Sequence, residues 1–100
     1  MNLNNLEKKI KIAFKNKNLL IQSLTHKSFD SNNNNEKLEF LGDRILGFVI
    51  AKKLLELYPD DKEGSLDKKL SSLVNKKKCL EISRSFELAK YIKTNILNKK

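Results

Sequence analysis

One hundred residues suffice for a single small domain, and 39% hydrophobic content with one Pro and three Gly suits an ordered, helix-rich globule, not a disordered chain. No apolar run approaches the roughly 18 residues of a membrane span, the start MNLNNLEKKIKIAF lacks the basic-then-apolar order of a secretory signal, and the single cysteine, Cys79, makes neither an internal disulfide nor a zinc site. Twenty-one Lys and Arg against 12 Asp and Glu give a formal charge of +9, a long-range and salt-sensitive attraction for polyanions. A cytoplasmic protein with no membrane association is expected, and nucleic acid or acidic surfaces are the natural partners. Lys and Asn richness alone explains the same excess, and no aromatic stacking platform accompanies it.

Along the chain, Leu3, Leu6, Ile10, Ala13 and Phe14 recur at helical spacing and predict an amphipathic first helix. A short second helix is expected over Lys17–Leu24. The polar run Asp30–Asn35 reads as an exposed connector, since Ser and Asn favour loops and caps over helix interiors. One long helix then runs from Glu36 to Tyr58, where Pro59 disfavours helical geometry in the residue before it. After the turn PDDKEG, Ser65 is the expected N-cap of a helix whose core face is Leu66, Leu70, Leu73 and Val74. A fifth helix, Lys78–Ala89, carries Leu80, Ile82 and Phe86, with Cys79 read as a small core residue. From Tyr91 to Lys100 the pattern fades. The fold class is therefore all-α, with no internal repeat and no strand alternation.

The long helix carries the chemistry. At about 100° per residue, Glu36, Glu39 and Asp43 project within about 60° of one another. The same face continues through Leu46, Gly47, Ile50, Leu54 and Leu57, and the opposite one carries Leu38, Leu41, Ile45 and Val49. A helix apolar nearly all round is expected to be central and buried. Carboxylates opening from such an axis need a cation, protonation or a fixed basic partner. A cation reading suits magnesium, which takes one or two carboxylates and keeps its waters, and phosphodiester hydrolysis is its natural use. Solvated acids favoured by the helix dipole explain the same spacing.

The stretch NEKLEFLGDRILGFVIAKKL, Asn35–Leu54, resembles the signature helix of the ribonuclease III family, whose core reads close to ERLEFLGDxxL. LTHKS (Leu24–Ser28) is similar to that family's LTHxS element, and YPDDKEGSLDKKLSSLV (Tyr58–Val74) and SRSFEL (Ser83–Leu88) resemble later segments in the same order and spacing. The resemblance implies an all-α endonuclease domain that cleaves double-stranded RNA with magnesium, or manganese in its place, during rRNA and mRNA processing. It implies that Glu39 is a metal ligand, that Asp43 is both ligand and catalytic carboxylate, and that Glu36 and Glu63 are further acids of the processing centre. Phe40 matches the aromatic that inserts into a partner subunit of a homodimer. Gly42 permits close approach of another backbone or of that partner, and His26 matches the histidine of the LTHxS element, with a structural role favoured. Arg44 is placed to screen the acids or to touch phosphate.

The family completes its metal site with a second acidic pair resembling D-x-x-E-A-L-I-G, which does not occur in residues 1–100, and no double-stranded-RNA-binding domain follows. The chain is thus expected to be a partial catalytic domain of a longer enzyme, inactive alone. The alternative is a noncatalytic RNA-binding or ribosome-associated protein on the same fold. It would have no use for Glu36, Glu39, Asp43 and Glu63. A plain helical interaction module gives no reason for three acids on one face.

Overall fold

The computed structural model describes residues 2–95. Among them lie five α-helices, α1 (Leu3–Ile10), α2 (Lys17–Ser23), α3 (Glu36–Leu57), α4 (Glu63–Leu73) and α5 (Lys76–Ser85), followed by a 3-10 turn at Leu88–Tyr91. Extended pairing among the described residues amounts to one isolated bridge, Thr25 to Lys93, so the all-α expectation holds. The helices fall into two compact units: residues up to Glu39 together with those from Ser83 onward, and Phe40–Ile82.

In the first unit, α1 begins because the Asn2 side chain accepts the Asn5 N–H at 3.2 Å, and it stops at Lys11, which turns left-handed at φ 60°. The first helix is therefore shorter than its apolar stripe suggested. Phe14 reaches the core from the following loop, where its N–H is taken by the Glu7 carboxylate at 2.6 Å. Asn16 caps α2 by accepting the Leu19 N–H at 3.1 Å. Leu6, Leu20 and Tyr91 form the buried centre, with Leu3, Ile10, Phe14, Leu24 and Leu88 packed against it. Full burial of a leucine such as Leu6 contributes roughly 1.5–3 kcal/mol.

Tyr91 and Leu88 correct the reading of the fifth helix. That helix ends at Ser85, not Ala89, and Glu87 adopts a left-handed conformation at φ 54°. The reversal turns the next four residues into a 3-10 turn that packs on α1, so Tyr91 is core. The remainder of the segment read as patternless, beyond residue 95, lies outside the described residues. At its other end α5 starts at Lys76, two residues earlier than expected, because Asn75 accepts the Lys78 N–H at 2.8 Å.

In the second unit, α3 gives way at Pro59 as expected, and Asp61 then fastens the turn by accepting from Lys69 at 2.5 Å and from Ser65 at 3.0 Å. Lys69 also lies 4.5 Å from the centre of the Tyr58 ring. Ser65 is consequently not the N-cap: α4 begins at Glu63 behind Lys62, and the Ser65 hydroxyl serves Asp61 from inside the first turn. Ala51, Leu54 and Leu55 of α3 face Leu66 and Leu70 of α4 across a groove of about 250 Å³.

The expectation that α3 is buried is overturned. Leu54 is its one buried residue, while Phe40 is 62% and Phe48 69% exposed, and Leu41, Ile45 and Val49 are exposed as well. An all-round apolar helix is buried only where elements cover every side, and among the described residues α4 meets α3 across that groove. Cys79 is likewise exposed and not a core residue. Gly42 has nothing within 4 Å of where a Cβ would stand, so no other backbone among the described residues makes the close approach expected there. No helix among the described residues is long and apolar enough to cross a membrane.

Candidate functional site

The acids read from the sequence occupy the start of α3. Asn34 caps that helix by accepting the Glu36 N–H at 3.1 Å, and the Glu39 N–H follows onto the Asn35 carbonyl at 2.8 Å. Two further contacts hold this start in place from outside. The Asn35 N–H donates to the Thr25 carbonyl at 3.0 Å, and the Gln22 amide donates to the Asn34 carbonyl at 3.1 Å. Glu36 and Glu39 thus stand in the first turn of α3, where the helix dipole favours negative charge.

Each acid is solvent-facing. Glu36 lies 3.7 Å from the Lys27 ammonium, both side chains being 63% exposed, so the pair is worth at most about 1 kcal/mol. Asp43, one turn beyond Glu39, lies 3.6 Å from Arg44. The Arg44 guanidinium also stacks on Phe40 at 3.9 Å from the ring centre and donates to the Phe40 carbonyl at 3.2 Å. Arg44 therefore lies beside Asp43 and is tied to Phe40 by the same geometry. Glu63 stands apart from these acids along the chain, in the first turn of α4 and at the rim of the apolar groove with Asp67.

Among the described residues, no three Asp, Glu, His or Cys side chains converge closely enough to hold a metal ion. Glu39 and Asp43, four residues apart on one helix, fit the one or two carboxylates that magnesium takes while keeping several waters. The described residues do not close a set around them.

Sequence reasoning missed two built features. Glu7 is a buried carboxylate, and its only sequence signal was an acid on the apolar side of α1. The Thr25–Ser28 turn is a hydrogen-bonded hub, readable in retrospect from His26 and Ser28 standing two residues apart, the spacing at which a side-chain acceptor reaches a backbone N–H.

A family model described as ribonuclease-III-like matches residues 16–99. Ribonuclease 3 of Pelagibacter ubique is 72% identical over 87 residues, which make up 87% of this chain and 39% of that relative. Ribonuclease 3 of Campylobacter jejuni is 45% identical over 91 residues, 91% of this chain and 41% of that relative. A solved structure of the nuclease domain of ribonuclease III from Campylobacter jejuni, described in terms of structural flexibility in a region involved in dimer formation, superimposes with a TM-score of 0.91 at 43% identity, covering 95% of this chain and 66% of that one. The chain thus spans about two fifths of the length of the curated relatives it matches.

Proposed function

Because the chain belongs to the ribonuclease-III-like family, we propose that it is the first part of the catalytic domain of a cytoplasmic endoribonuclease that cleaves double-stranded RNA as a homodimer, in the processing of rRNA and mRNA precursors. The observation that carries this reading is the start of α3, where Glu36, Glu39 and Asp43 follow one another at helical spacing over about two turns, the first of them anchored by Thr25 and Gln22. Glu39 and Asp43 would hold magnesium, or manganese in its place. Such an ion would supply an acidified water and charge stabilisation at the phosphoryl oxygens. Arg44 lies beside Asp43 and Lys27 beside Glu36. Glu63 is assigned to the same processing centre as a further acid. The net charge of +9 draws the duplex, whose A-form backbone is read through shape, phosphates and 2′-hydroxyls. Phe40, exposed and braced by Arg44, is the anchor offered to a second subunit.

The test is cleavage of a long RNA duplex with magnesium by this chain, by a version lengthened to the span of the solved nuclease domain, and by the lengthened Asp43→Asn variant. Cleavage by the lengthened protein is expected, with the variant at least about a hundredfold slower, as when one charge-stabilising group is removed from an active site. The short chain should be inactive. A folded, dimeric, lengthened protein that leaves the duplex intact would reject the enzyme in favour of a noncatalytic RNA-binding role.

A further inference from the structure

The Thr25–Ser28 turn joins two distant parts of the first unit. On one side, His26 N–H donates to the Lys93 carbonyl and Lys93 N–H to the Leu24 carbonyl, each at 2.8 Å, and the Asn95 amide donates to the Ser28 carbonyl at 2.9 Å. On the other, the carbonyl of buried Thr25 holds Asn35, immediately before the acids of α3. His26 stands at the middle. Its Nδ1 accepts the Ser28 backbone N–H at 3.0 Å and lies 2.8 Å from the Ser28 hydroxyl.

The proton placement on the ring follows from its bond to the Ser28 backbone. A backbone N–H can only donate, so Nδ1 carries no proton and the neutral ring bears its hydrogen on Nε2. The Ser28 hydroxyl donates to Nδ1, and its oxygen then accepts the Asn95 N–H at 3.0 Å and the Thr94 hydroxyl at 3.0 Å. Protonation of the ring places Nδ1–H against the Ser28 N–H, two donors with no acceptor between them. It also reverses the Ser28 hydroxyl on which Thr94 and Asn95 rest.

We propose that His26 is a proton-sensitive positioning residue: as a neutral acceptor it pins residues 93–95 and the start of α3 to one turn, and on protonation it loosens both. Lys27, Asp30, Glu36 and Lys93 are the charged groups around this turn, and their charged ends are engaged elsewhere. Lys27 faces Glu36, Asp30 accepts the N–H groups of Asn32 and Asn33, and the Lys93 ammonium lies 5.9 Å from the centre of the Phe29 ring. The pin does not rest on the ribonuclease reading, and it is tested without any cleavage assay.

Amide hydrogen exchange of Ser28, Asn35 and Asn95 is followed by NMR on the full chain from about pH 8 to about pH 5, the range in which imidazoles take up a proton. Protection of these amides is expected to fall together by about tenfold or more. His26→Asn should stay level across the range, because Asn Oδ1 takes the place of Nδ1 in accepting the Ser28 N–H but does not titrate. Protection that ignores pH in the unaltered chain, or that falls equally in the Asn variant, would overturn the proposal. Imidazole ¹⁵N shifts give a check that needs no variant: Nε2–H at about pH 8 is expected, and Nδ1–H there would overturn the proposal.

Discussion

The Glu7 carboxylate accepts from the Lys17 ammonium at 2.5 Å and from the Phe14 backbone N–H at 2.6 Å, through the same oxygen. It thereby ties α1, the loop after it and the first residue of α2 into one knot beside Leu6. The side chain of Glu7 is only 9% exposed, so removal of the acid leaves the part-buried Phe14 N–H without this acceptor. That loss outweighs the loss of the half-exposed Lys17 ion pair. Glu7→Ala is expected to lower the melting temperature by about 5 °C or more in a domain of this size, and Lys17→Met by less. Thermal unfolding of the two variants followed by circular dichroism checks the order, and an equal effect of both would contradict it.

Acid should dissolve a second tie. Glu87 sits between Lys90 at 2.8 Å and Lys9 at 2.9 Å, and these ammonium groups hold its carboxyl down at about 2. A carboxyl depressed in the folded state binds fewer protons there than in the unfolded chain. Its contribution is therefore complete above the ordinary glutamate range and is lost as pH falls from about 4.5 towards 2. The Lys17 ammonium holds the Glu7 carboxyl below its usual range in the same sense. Glu87→Gln should melt a few degrees below the unaltered protein at neutral pH, since its partners are part-exposed and screened, and at the same temperature near pH 2. A gap that persists at that pH would assign the effect to packing.

Much of this was legible in the chain because the signals were local. Pro59 ended α3 within a residue of its expected place, Asn and Asp marked the connector before it, and the acids of α3 followed from helical spacing alone. What was not legible depended on contacts distant in sequence. The spacing of Phe14 matches the α1 stripe although a left-handed Lys11 intervenes, and nothing local announces that conformation in a lysine. Tyr91 becomes core only because Glu87 reverses the chain and turns it back towards α1, whose partner Lys9 lies 78 residues away from Glu87. For α3 the period was read correctly and the burial was not, since periodicity shows which sides are apolar but not whether anything covers them.

Core and surface leucines and aromatics should consequently behave in opposite ways. Leu6 is 2% exposed at the centre of the first unit, and Leu6→Ala should cost about 2–5 kcal/mol through lost transfer energy and the cavity left behind. Phe48, 69% exposed on α3, should tolerate Ser with a change within about 0.5 kcal/mol in the isolated chain. Urea unfolding of the two variants tests this contrast, and a large loss for Phe48→Ser would mean that α3 is covered in solution.

Phe40 extends the same reasoning to assembly. Its ring is exposed, and the Arg44 guanidinium, which donates to the Phe40 carbonyl, lies 3.9 Å from its centre, a contact that favours one ring orientation by about 0.5–1 kcal/mol. An aromatic already biased towards one orientation loses less conformational freedom on docking, and such side chains are enriched among the residues that dominate interface energetics. On the proposed homodimer reading, Phe40→Ala in the lengthened protein should weaken self-association by about 2–4 kcal/mol, some thirty- to a thousandfold in Kd at about 1.4 kcal/mol per tenfold. Arg44→Gln, which keeps part of the stem but removes the stacking charge, should weaken it less. Sedimentation equilibrium across protein concentrations reads both. Dimers of unchanged affinity in Phe40→Ala would place the interface elsewhere on the chain.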